Sequence, residues 1–361
     1  MRHLRDVLKY FERNASSDQY GGQSFANFSN DLAPYVQDTR NEIEEEIKEI
    51  SDINGSCFDE SSRLRDLREK RVIKKIHQAM QGVCYNLNTM HSRAGSQVPF
   101  SSINIGLPES KDAYEIEKAF LEEFDKGMGK GTPLIFPNVI FRVKDGVNKK
   151  PGDPYYDLFQ LACKVASRRM NPTFMNIDAD FNLEYYEKGY IPATMGCRTY
   201  IMSDINGEPG VEGRGNIANT TINMPRLALL ANKNVDEFFK LLYERIDDAK
   251  DSLIHRKSVL SQLKGNDMPF TVGQNLMRGS EEVGVNDSIA PILEHGTWGI
   301  GYIGLAETLV ALTGKHHGES KESLELGYKI MRLFRERVDK LKEEYKMNFS
   351  VYGTPKHSWV A

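Results

Sequence analysis

Helical and strand-like patterns alternate along most of this chain of 361 residues. Apolar residues recur at spacings of three and four over 61–91, which predicts a long helix, and the next apolar run, 98–105, has the composition of a strand. Similar patterns predict helices at 111–128, 155–170, 235–263, 305–313 and 321–347 and strands at 133–143 and 298–303. This alternation is typical of a largely parallel fold, so we predict the α/β class, either open or closed as a barrel.

The segment 171–223 interrupts this alternation. It is rich in glycine, proline, asparagine and aspartate and shows no helical period. A stretch of this length without regular structure is usually either functional or disordered. Its low charge and its many apolar residues argue against disorder, so we expect it to carry function.

Charge and hydropathy exclude several classes of protein. The 47 basic and 51 acidic residues give a formal net charge of −4, which does not indicate a nucleic-acid-binding surface. No apolar run reaches the ~18 residues of a membrane-spanning helix, and the first residues lack the apolar core of a secretion signal. We therefore predict a cytoplasmic protein that binds neither nucleic acid nor membrane.

The four cysteines contain no CxxC pair, which argues against a zinc site or a redox motif. Cys84 and Cys163 lie in helix-like apolar patterns and are predicted to be buried, while Cys57 lies in a polar loop. Cys197 follows a glycine in the irregular segment, where loop geometry would position a reactive thiol. A nucleophilic cysteine would need a base, and no histidine is a convincing partner. A radical mechanism would need no such base.

Three glycine or histidine motifs are better explained by structure than by a ligand. The run 213–218 fits GxGxxA, but a turn region precedes it where a dinucleotide site needs a strand. The glycines of 127–131 lack the spacing of a phosphate loop and are predicted to end a helix. The adjacent histidines of 315–319 have no second ligand cluster, so we predict a surface loop or a helix cap there and no metal site.

Other motifs lie in or beside the irregular segment, at 193–199 (Ala-Thr-Met-Gly-Cys-Arg-Thr), 213–216 (Gly-Arg-Gly-Asn) and 221–226 (Thr-Ile-Asn-Met-Pro-Arg). Together they resemble the anaerobic ribonucleoside-triphosphate reductases, which are glycyl radical enzymes. Further matches follow in chain order at 19–24, 32–36, 86–93, 99–104, 300–305 and 312–320. The resemblance covers 18–355, and an ordered series of motifs is specific where a single motif is not.

The resemblance implies a partial ten-stranded α/β barrel of the ribonucleotide reductase and pyruvate formate-lyase type, with a finger loop in its lumen. Cys197 would stand at the tip of this loop and become the thiyl radical that abstracts the 3′-hydrogen of the ribose. Loss of the 2′-hydroxyl as water would follow. Burial inside a barrel suits this chemistry because radical intermediates must be kept from side reactions.

The same motifs carry over further site residues from the family. Asn216 would hydrogen-bond near the reacting hydroxyls, and Tyr352 would line the same pocket. The substrate-binding candidates are Arg198, Thr199 and Thr354. Formate is the family's usual reductant and would bind among these groups.

The two ends of the chain depart from the family pattern. The family follows Thr-Pro with Ala-Glu, whereas this sequence continues with Lys356 and His357, so we expect the phosphate-cradling loop to be incomplete or replaced. No segment resembles the glycyl radical motif, the four-cysteine zinc module, the regulatory cone or the first barrel strand of the family. We therefore expect 1–361 to be a single, incomplete catalytic barrel domain that shows no turnover without complementing segments.

The resemblance also implies partners. These are ribonucleoside triphosphates, a radical S-adenosylmethionine activating enzyme, a second copy in a homodimer and a complementing C-terminal chain. One alternative is a non-catalytic remnant that binds nucleotide or a partner chain. Another is a glycyl radical enzyme that acts on a 2-keto acid, but that branch uses adjacent paired cysteines, which this sequence lacks.

Overall fold

The computed structural model describes residues 15, 18, 21–53, 62–91, 98, 100–196 and 199–353. The chain divides into two units, Met1–Tyr200 and Ile201–Ala361. Each unit has its own parallel sheet and its own cluster of buried apolar side chains. The predicted α/β class is therefore confirmed, and the single barrel domain stays a prediction.

The described part of the first unit contains a parallel sheet whose four strands lie side by side in chain order. The strands are β1 (Gln23–Phe25), β2 (Ser101–Ile105), β3 (Asn138–Val143) and β4 (Thr173–Asn176). All five residues of β2 are buried. Because side chains alternate along a strand, Ile103 and Ile105 point to one face and Ser102 and Asn104 to the other.

Helices of the first unit supply the apolar core of this sheet. They are α1 (Phe28–Leu32), α2 (Pro34–Ile53), α3 (Ser62–Thr89), α4 (Lys111–Lys126) and α5 (Tyr156–Arg169), and a further short helix, α6 (Asp180–Glu187), contributes no residue to this core. Ser110 caps α4, since its Oγ accepts a hydrogen bond from the backbone N–H of Ala113 at 3.1 Å. The helices predicted at 61–91, 111–128 and 155–170 are confirmed within two residues at each end.

The two cysteines on these helices differ in burial. Cys84 on α3 is buried in the core, as predicted. Cys163 on α5 is exposed, so its predicted burial is wrong. Successive residues of a helix point about 100° apart, and the buried stripe of α5 runs through Ala162 and leaves the neighbouring cysteine outside it.

The segment 171–223, predicted to be irregular, contains more regular structure than expected. It holds β4, α6 and a short antiparallel hairpin of β5 (Thr194–Met195) and β6 (Thr199–Tyr200). Residues 197 and 198, between these two strands in sequence, lie outside the described residues. The segment ends with β7 (Asn216–Asn223), the first strand of the second unit.

In the second unit, the described strands β7, β8 (Thr297–Ile303) and β9 (Asn348–Gly353) form a parallel sheet in that order. Its helices are α7 (Met224–Leu230), α8 (Val235–Leu260), α9 (Pro269–Gly273), α10 (Ala290–His295), α11 (Leu305–Thr313) and α12 (Lys321–Tyr345). Trp298 and Ile300 are fully buried on the face of β8 that meets the apolar cluster. The helices of both described units are too short or too polar to cross a membrane.

Candidate functional site

The hairpin β5–β6 is tied to the sheet of the first unit by side chains. The amide of Asn104 pairs with the backbone of Thr194: Nδ2 donates to the Thr194 oxygen at 3.0 Å, and the Thr194 N–H donates to Oδ1 at 3.1 Å. Ser102 Oγ accepts from the Gly196 N–H at 3.1 Å, and Asn138 Nδ2 donates to the Gly196 oxygen at 3.0 Å. We call these contacts of Ser102, Asn104 and Asn138 the hairpin tether.

Burial makes the tether strong. Ser102 and Asn104 are 0% exposed, and a buried polar group without a partner is costly. Ser24 on β1 adds a bond from its Oγ to the Thr194 oxygen at 3.1 Å. Gly196 has a φ of +60°, a left-handed conformation that favours glycine.

Of the three site residues predicted at 197–199, the structure describes only the last. Thr199 is half-buried on β6 and pairs with Met195 across the hairpin. Cys197 and Arg198 lie outside the described residues, and so does Thr354 of the second unit. Next to Thr199, the hydroxyl of Tyr200 donates to the Phe181 oxygen at 3.1 Å, and burial raises the pKa of this phenol.

In the second unit, the sheet brings Asn216 and Tyr352 to the same face. Asn216 on β7 is in register with Thr297 of β8, and Tyr352 on β9 is in register with Gly301 of β8. Thr297 and Gly301 are four residues apart on β8, so both positions face the same side of the sheet. They are separated by ~13 Å along the strand, and so are the positions of Asn216 and Tyr352 that pair with them. Asn216 and Tyr352 therefore border one face of the sheet, at register positions four residues apart on β8.

Two glycines of β8 form the middle of this face, and Tyr352 lies across them. A Cβ on Gly301 would overlap Cζ of the Tyr352 ring, and a Cβ on Gly299 would lie 2.8 Å from its Cε1. The phenol thereby reaches β7, where its oxygen is 3.0 Å from Oγ1 of Thr221. The absence of side chains at Gly299 and Gly301 thus determines where the Tyr352 hydroxyl lies.

A buried carboxylate fixes the start of this sheet. Oδ2 of Asp204 is 2.9 Å from His295 Nδ1 and 3.5 Å from Arg214 Nε, and its Oδ1 accepts from Asn348 Nδ2 at 2.8 Å. Burial opposes ionisation of Asp204, but the hydrogen bonds from Asn348 and His295 and the charge of Arg214 outweigh it and lower its pKa. Arg214 precedes Asn216 by two residues, so this cluster holds the place where β7 begins.

A family model described as anaerobic ribonucleoside-triphosphate reductase matches residues 5–359, nearly the whole chain. The chain belongs to this family. The anaerobic ribonucleoside-triphosphate reductase of Escherichia coli (strain K12) is 34% identical over 350 residues, which cover 94% of this chain and 46% of that protein. The chain thus spans about half the length of the curated reductases it matches.

Solved structures of an anaerobic ribonucleotide reductase have the same fold. The crystal structure of the Thermotoga maritima enzyme with citrate in the active site aligns with a TM-score of 0.62 at 16% identity, over 98% of this chain and 59% of that chain. The structure of the same enzyme in complex with dATP and CTP aligns with a TM-score of 0.60 at 16% identity, over 97% and 54% of the two chains.

The reductase motifs 213–216 and 300–305 have a clear structural place. The run 213–218 leads into β7 and is not followed directly by a helix, so the geometry of a dinucleotide-binding turn is absent at this position. Gly301 lies inside β8 under the Tyr352 ring. Among the residues that the structure describes, no three histidine, cysteine or acidic side chains are grouped to hold a metal ion.

The sequence analysis assigned no individual role to several residues that shape the hairpin tether and the polar face of the second sheet. They are Ser102, Asn104, Asn138, Thr221 and Gly301. The signal in each case was a polar residue or a glycine inside a strand, where apolar residues are the rule. Their partners lie far away in sequence, so the pattern marks them as unusual without saying what they contact.

Proposed function

We propose that this chain is the catalytic barrel portion of an anaerobic ribonucleotide reductase. It reduces ribonucleoside triphosphates to 2′-deoxyribonucleoside triphosphates, together with complementing segments. The proposal rests on the family match over residues 5–359, a range that contains Cys197, Asn216 and Tyr352.

The polar face of the second sheet supports this assignment. It presents the amide of Asn216 and the hydroxyl groups of Thr221 and Tyr352 around two glycines. Amide and hydroxyl groups both donate and accept hydrogen bonds, and the hydroxyls of a ribose have the same requirement. The glycines leave room for the Tyr352 ring to lie close to the backbone, which brings its hydroxyl to this face.

The proposed chemistry begins and ends at Cys197. Its thiyl sulfur takes the 3′-hydrogen of the ribose, so an S–H bond forms and a C–H bond breaks. The 2′-hydroxyl leaves as water, and formate supplies the two electrons that reduce the sugar. The balance is one ribonucleoside triphosphate, one formate and one proton giving one deoxyribonucleoside triphosphate, carbon dioxide and water.

Asn216 and Tyr352 act in this proposal by holding the substrate and formate while the C–O bond breaks. Hydrogen-bond donors placed where charge develops are a large source of rate enhancement in enzymes. Thr199 and the undescribed Arg198 and Thr354 are proposed to contact the nucleotide. A radical S-adenosylmethionine enzyme would generate the radical, and a second copy would complete a homodimer.

The test is reconstitution of nucleotide reduction. The chain is combined with a complementing chain that carries a glycyl radical segment, an activating enzyme, S-adenosylmethionine, formate and CTP, with dATP as effector. The Thermotoga maritima enzyme has been crystallised with this pair of nucleotides. We expect dCTP and carbon dioxide in equal amounts by mass spectrometry.

The matched control is Cys197→Ser, which keeps the size of the side chain and removes the sulfur. We expect it to form no dCTP. Product at the unchanged rate from Cys197→Ser would contradict the proposed function. The alternative of a remnant that only binds nucleotide predicts no dCTP from either protein but a nucleotide-dependent rise in Tm for both.

A further inference from the structure

Among the described residues of the first unit, the hairpin strands β5 and β6 pair with each other and form no ladder with the four-stranded sheet. The strands β2 and β3, which carry the tether residues, each pair with a neighbouring strand on both sides. The sheet reaches the hairpin through the side chains of the tether, which pair with the N–H and the oxygen of both Thr194 and Gly196.

We propose that Ser102, Asn104 and Asn138 are positioning residues for the chemistry of Cys197. They fix the backbone of residues 194–196 and with it the covalent attachment of the cysteine. This inference rests on the proposed function for its catalytic meaning, because it assigns a role to residues that hold the chain next to the proposed radical site.

The peptide unit supplies the link between the tether and the cysteine. Six atoms of a peptide unit lie in one plane, from the Cα of one residue to the Cα of the next. Asn138 holds the oxygen of the unit that joins Gly196 to Cys197, and Ser102 holds the N–H of the preceding unit. The tether therefore holds both peptide groups of Gly196, the residue to which the cysteine is joined.

Position matters for a hydrogen-atom transfer because the donor and acceptor atoms must be close. A misplacement of about 1 Å in an enzyme site lowers the rate about 100-fold. A fully buried serine and asparagine are well suited to prevent such a displacement, since the packed interior around them does not yield to small shifts.

The tether can be measured at the amide of Gly196. The chain contains two Met-Gly pairs, Met128-Gly129 and Met195-Gly196. Protein labelled with carbonyl-¹³C methionine and ¹⁵N glycine therefore gives one amide signal from each pair in a carbonyl-filtered NMR spectrum. Gly129 donates to the Tyr85 hydroxyl at 2.7 Å and serves as the internal reference.

Neighbouring serines of β2 provide matched variants. Ser102→Ala removes the oxygen that accepts from Gly196. Ser101→Ala removes an equally buried hydroxyl on the opposite face, which has no hydrogen-bond partner among the described residues.

We expect the hydrogen-exchange rate of the Gly196 amide to rise about fivefold in Ser102→Ala. This factor corresponds to the loss of one hydrogen bond with its usual net contribution to stability. Gly129 should keep its rate in both variants, and Gly196 should keep its rate in Ser101→Ala. An unchanged Gly196 rate in Ser102→Ala, or an equal rise in Ser101→Ala, overturns the tether.

The second readout is the thiol itself. The rate of alkylation of Cys197, measured by peptide mapping relative to the exposed Cys163, should rise in Ser102→Ala and stay unchanged in Ser101→Ala. A general loss of stability would not single out Cys197. An unchanged ratio in Ser102→Ala shows that the tether does not position the cysteine.

Failure of this inference and failure of the proposed function are distinguishable. If Cys197→Ser still forms deoxynucleotide, the proposed function is refuted, but the hydrogen-exchange result at Gly196 remains valid. If both proposals hold, Ser102→Ala lowers kcat in the reconstituted reaction while KM for the nucleotide stays the same. A change in KM alone contradicts the positioning role.

Discussion

Tyr352 occupies space that a side chain on Gly301 would fill. We predict that Gly301→Ala displaces the phenol, breaks its contact with Thr221 and lowers the free energy of unfolding by about 1–3 kcal/mol, as overpacking does. Denaturant unfolding measures this loss. Gly273→Ala is the control, because a Cβ there would meet no atom within 4 Å.

The double variant Gly301→Ala/Tyr352→Ala tests the cause. Removing the ring relieves the overlap, so the double variant should be more stable than the sum of the two single effects predicts. Coupling energies between residues in contact are about 0.5–3 kcal/mol. Additive effects would mean that the glycine is needed for another reason.

Thr220 and Thr221 are neighbours on β7 whose hydroxyls have different surroundings. Oγ1 of Thr221 is 3.0 Å from the Tyr352 oxygen, whereas Oγ1 of Thr220 is buried without a hydrogen-bond partner in the described structure. We predict that Thr221→Val lowers dCTP formation about fivefold, the loss expected for one hydrogen bond, and that Thr221→Ser retains it. Thr220→Val should keep full activity and an equal or higher Tm. Equal losses in both valine variants would refute this assignment.

At the scale of elements, α4 carries a carboxyl group into the core of the first unit. Glu117 is 0% exposed, and its two oxygens accept from Ser29 Oγ at 2.6 Å and from the Gly106 N–H at 2.9 Å. Burial raises the pKa of Glu117 to about 7, although both hydrogen bonds and the charge of Arg142 act in the opposite direction. The folded protein therefore holds this proton more tightly than the unfolded chain does.

This binding of a proton predicts a pH dependence. A raised pKa gives a contribution to stability that is complete below the ordinary glutamate pKa of 4.5 and is lost as the pH rises towards and through about 7. Glu117→Gln removes the titration, so its stability relative to the unmodified protein should increase between pH 5 and pH 8. Unfolding experiments at both pH values measure the difference, and the exposed Glu45→Gln is the control. A difference that stays constant with pH would contradict the assignment.

The elements differ in how well the sequence predicts them. Both predicted ends of helix α11 are confirmed. An apolar stripe is a local pattern, so it can be recognised without knowledge of the rest of the fold. Strand β7 was missed. Its register shifts between Asn216 and Ala218, which breaks the alternation, and Asn219 and Thr221 make one of its faces polar.

At the scale of the whole molecule, the family and the fold class could be predicted from ordered motifs, and the arrangement of the site could not. Asn216 and Tyr352 share a face through the register of three strands that are separated by long helices. The sequence around either residue contains no pattern from which that register could be predicted. The burial of Cys163 was predicted wrongly for a similar reason, since its apolar neighbours indicated a helix but not which side of it meets the core.

The two helical cysteines of the first unit predict how the folded chain responds to a thiol reagent. Cys163 is exposed, whereas Cys84 lies in the core, where burial raises the pKa of its thiol to about 12. We expect an alkylating reagent to modify Cys163 rapidly in the native protein and Cys84 only after denaturation. Peptide mapping by mass spectrometry measures both sites in one sample. Modification of Cys84 at the rate of Cys163 without denaturant would contradict the packing of α3.

The hairpin tether contacts only backbone atoms of residues 194 and 196. The tether therefore does not depend on which side chains residues 194 and 196 carry. Consistent with this, Oγ1 of Thr194 makes no hydrogen bond to any described residue. Two restrictions remain: proline is excluded where an N–H is used, and glycine is favoured at 196 by its φ of +60°. Selection from a random library over 194–196 should accordingly return varied residues at 194 and 195 and glycine at 196, so this stretch of chain can diverge in sequence while its path is conserved.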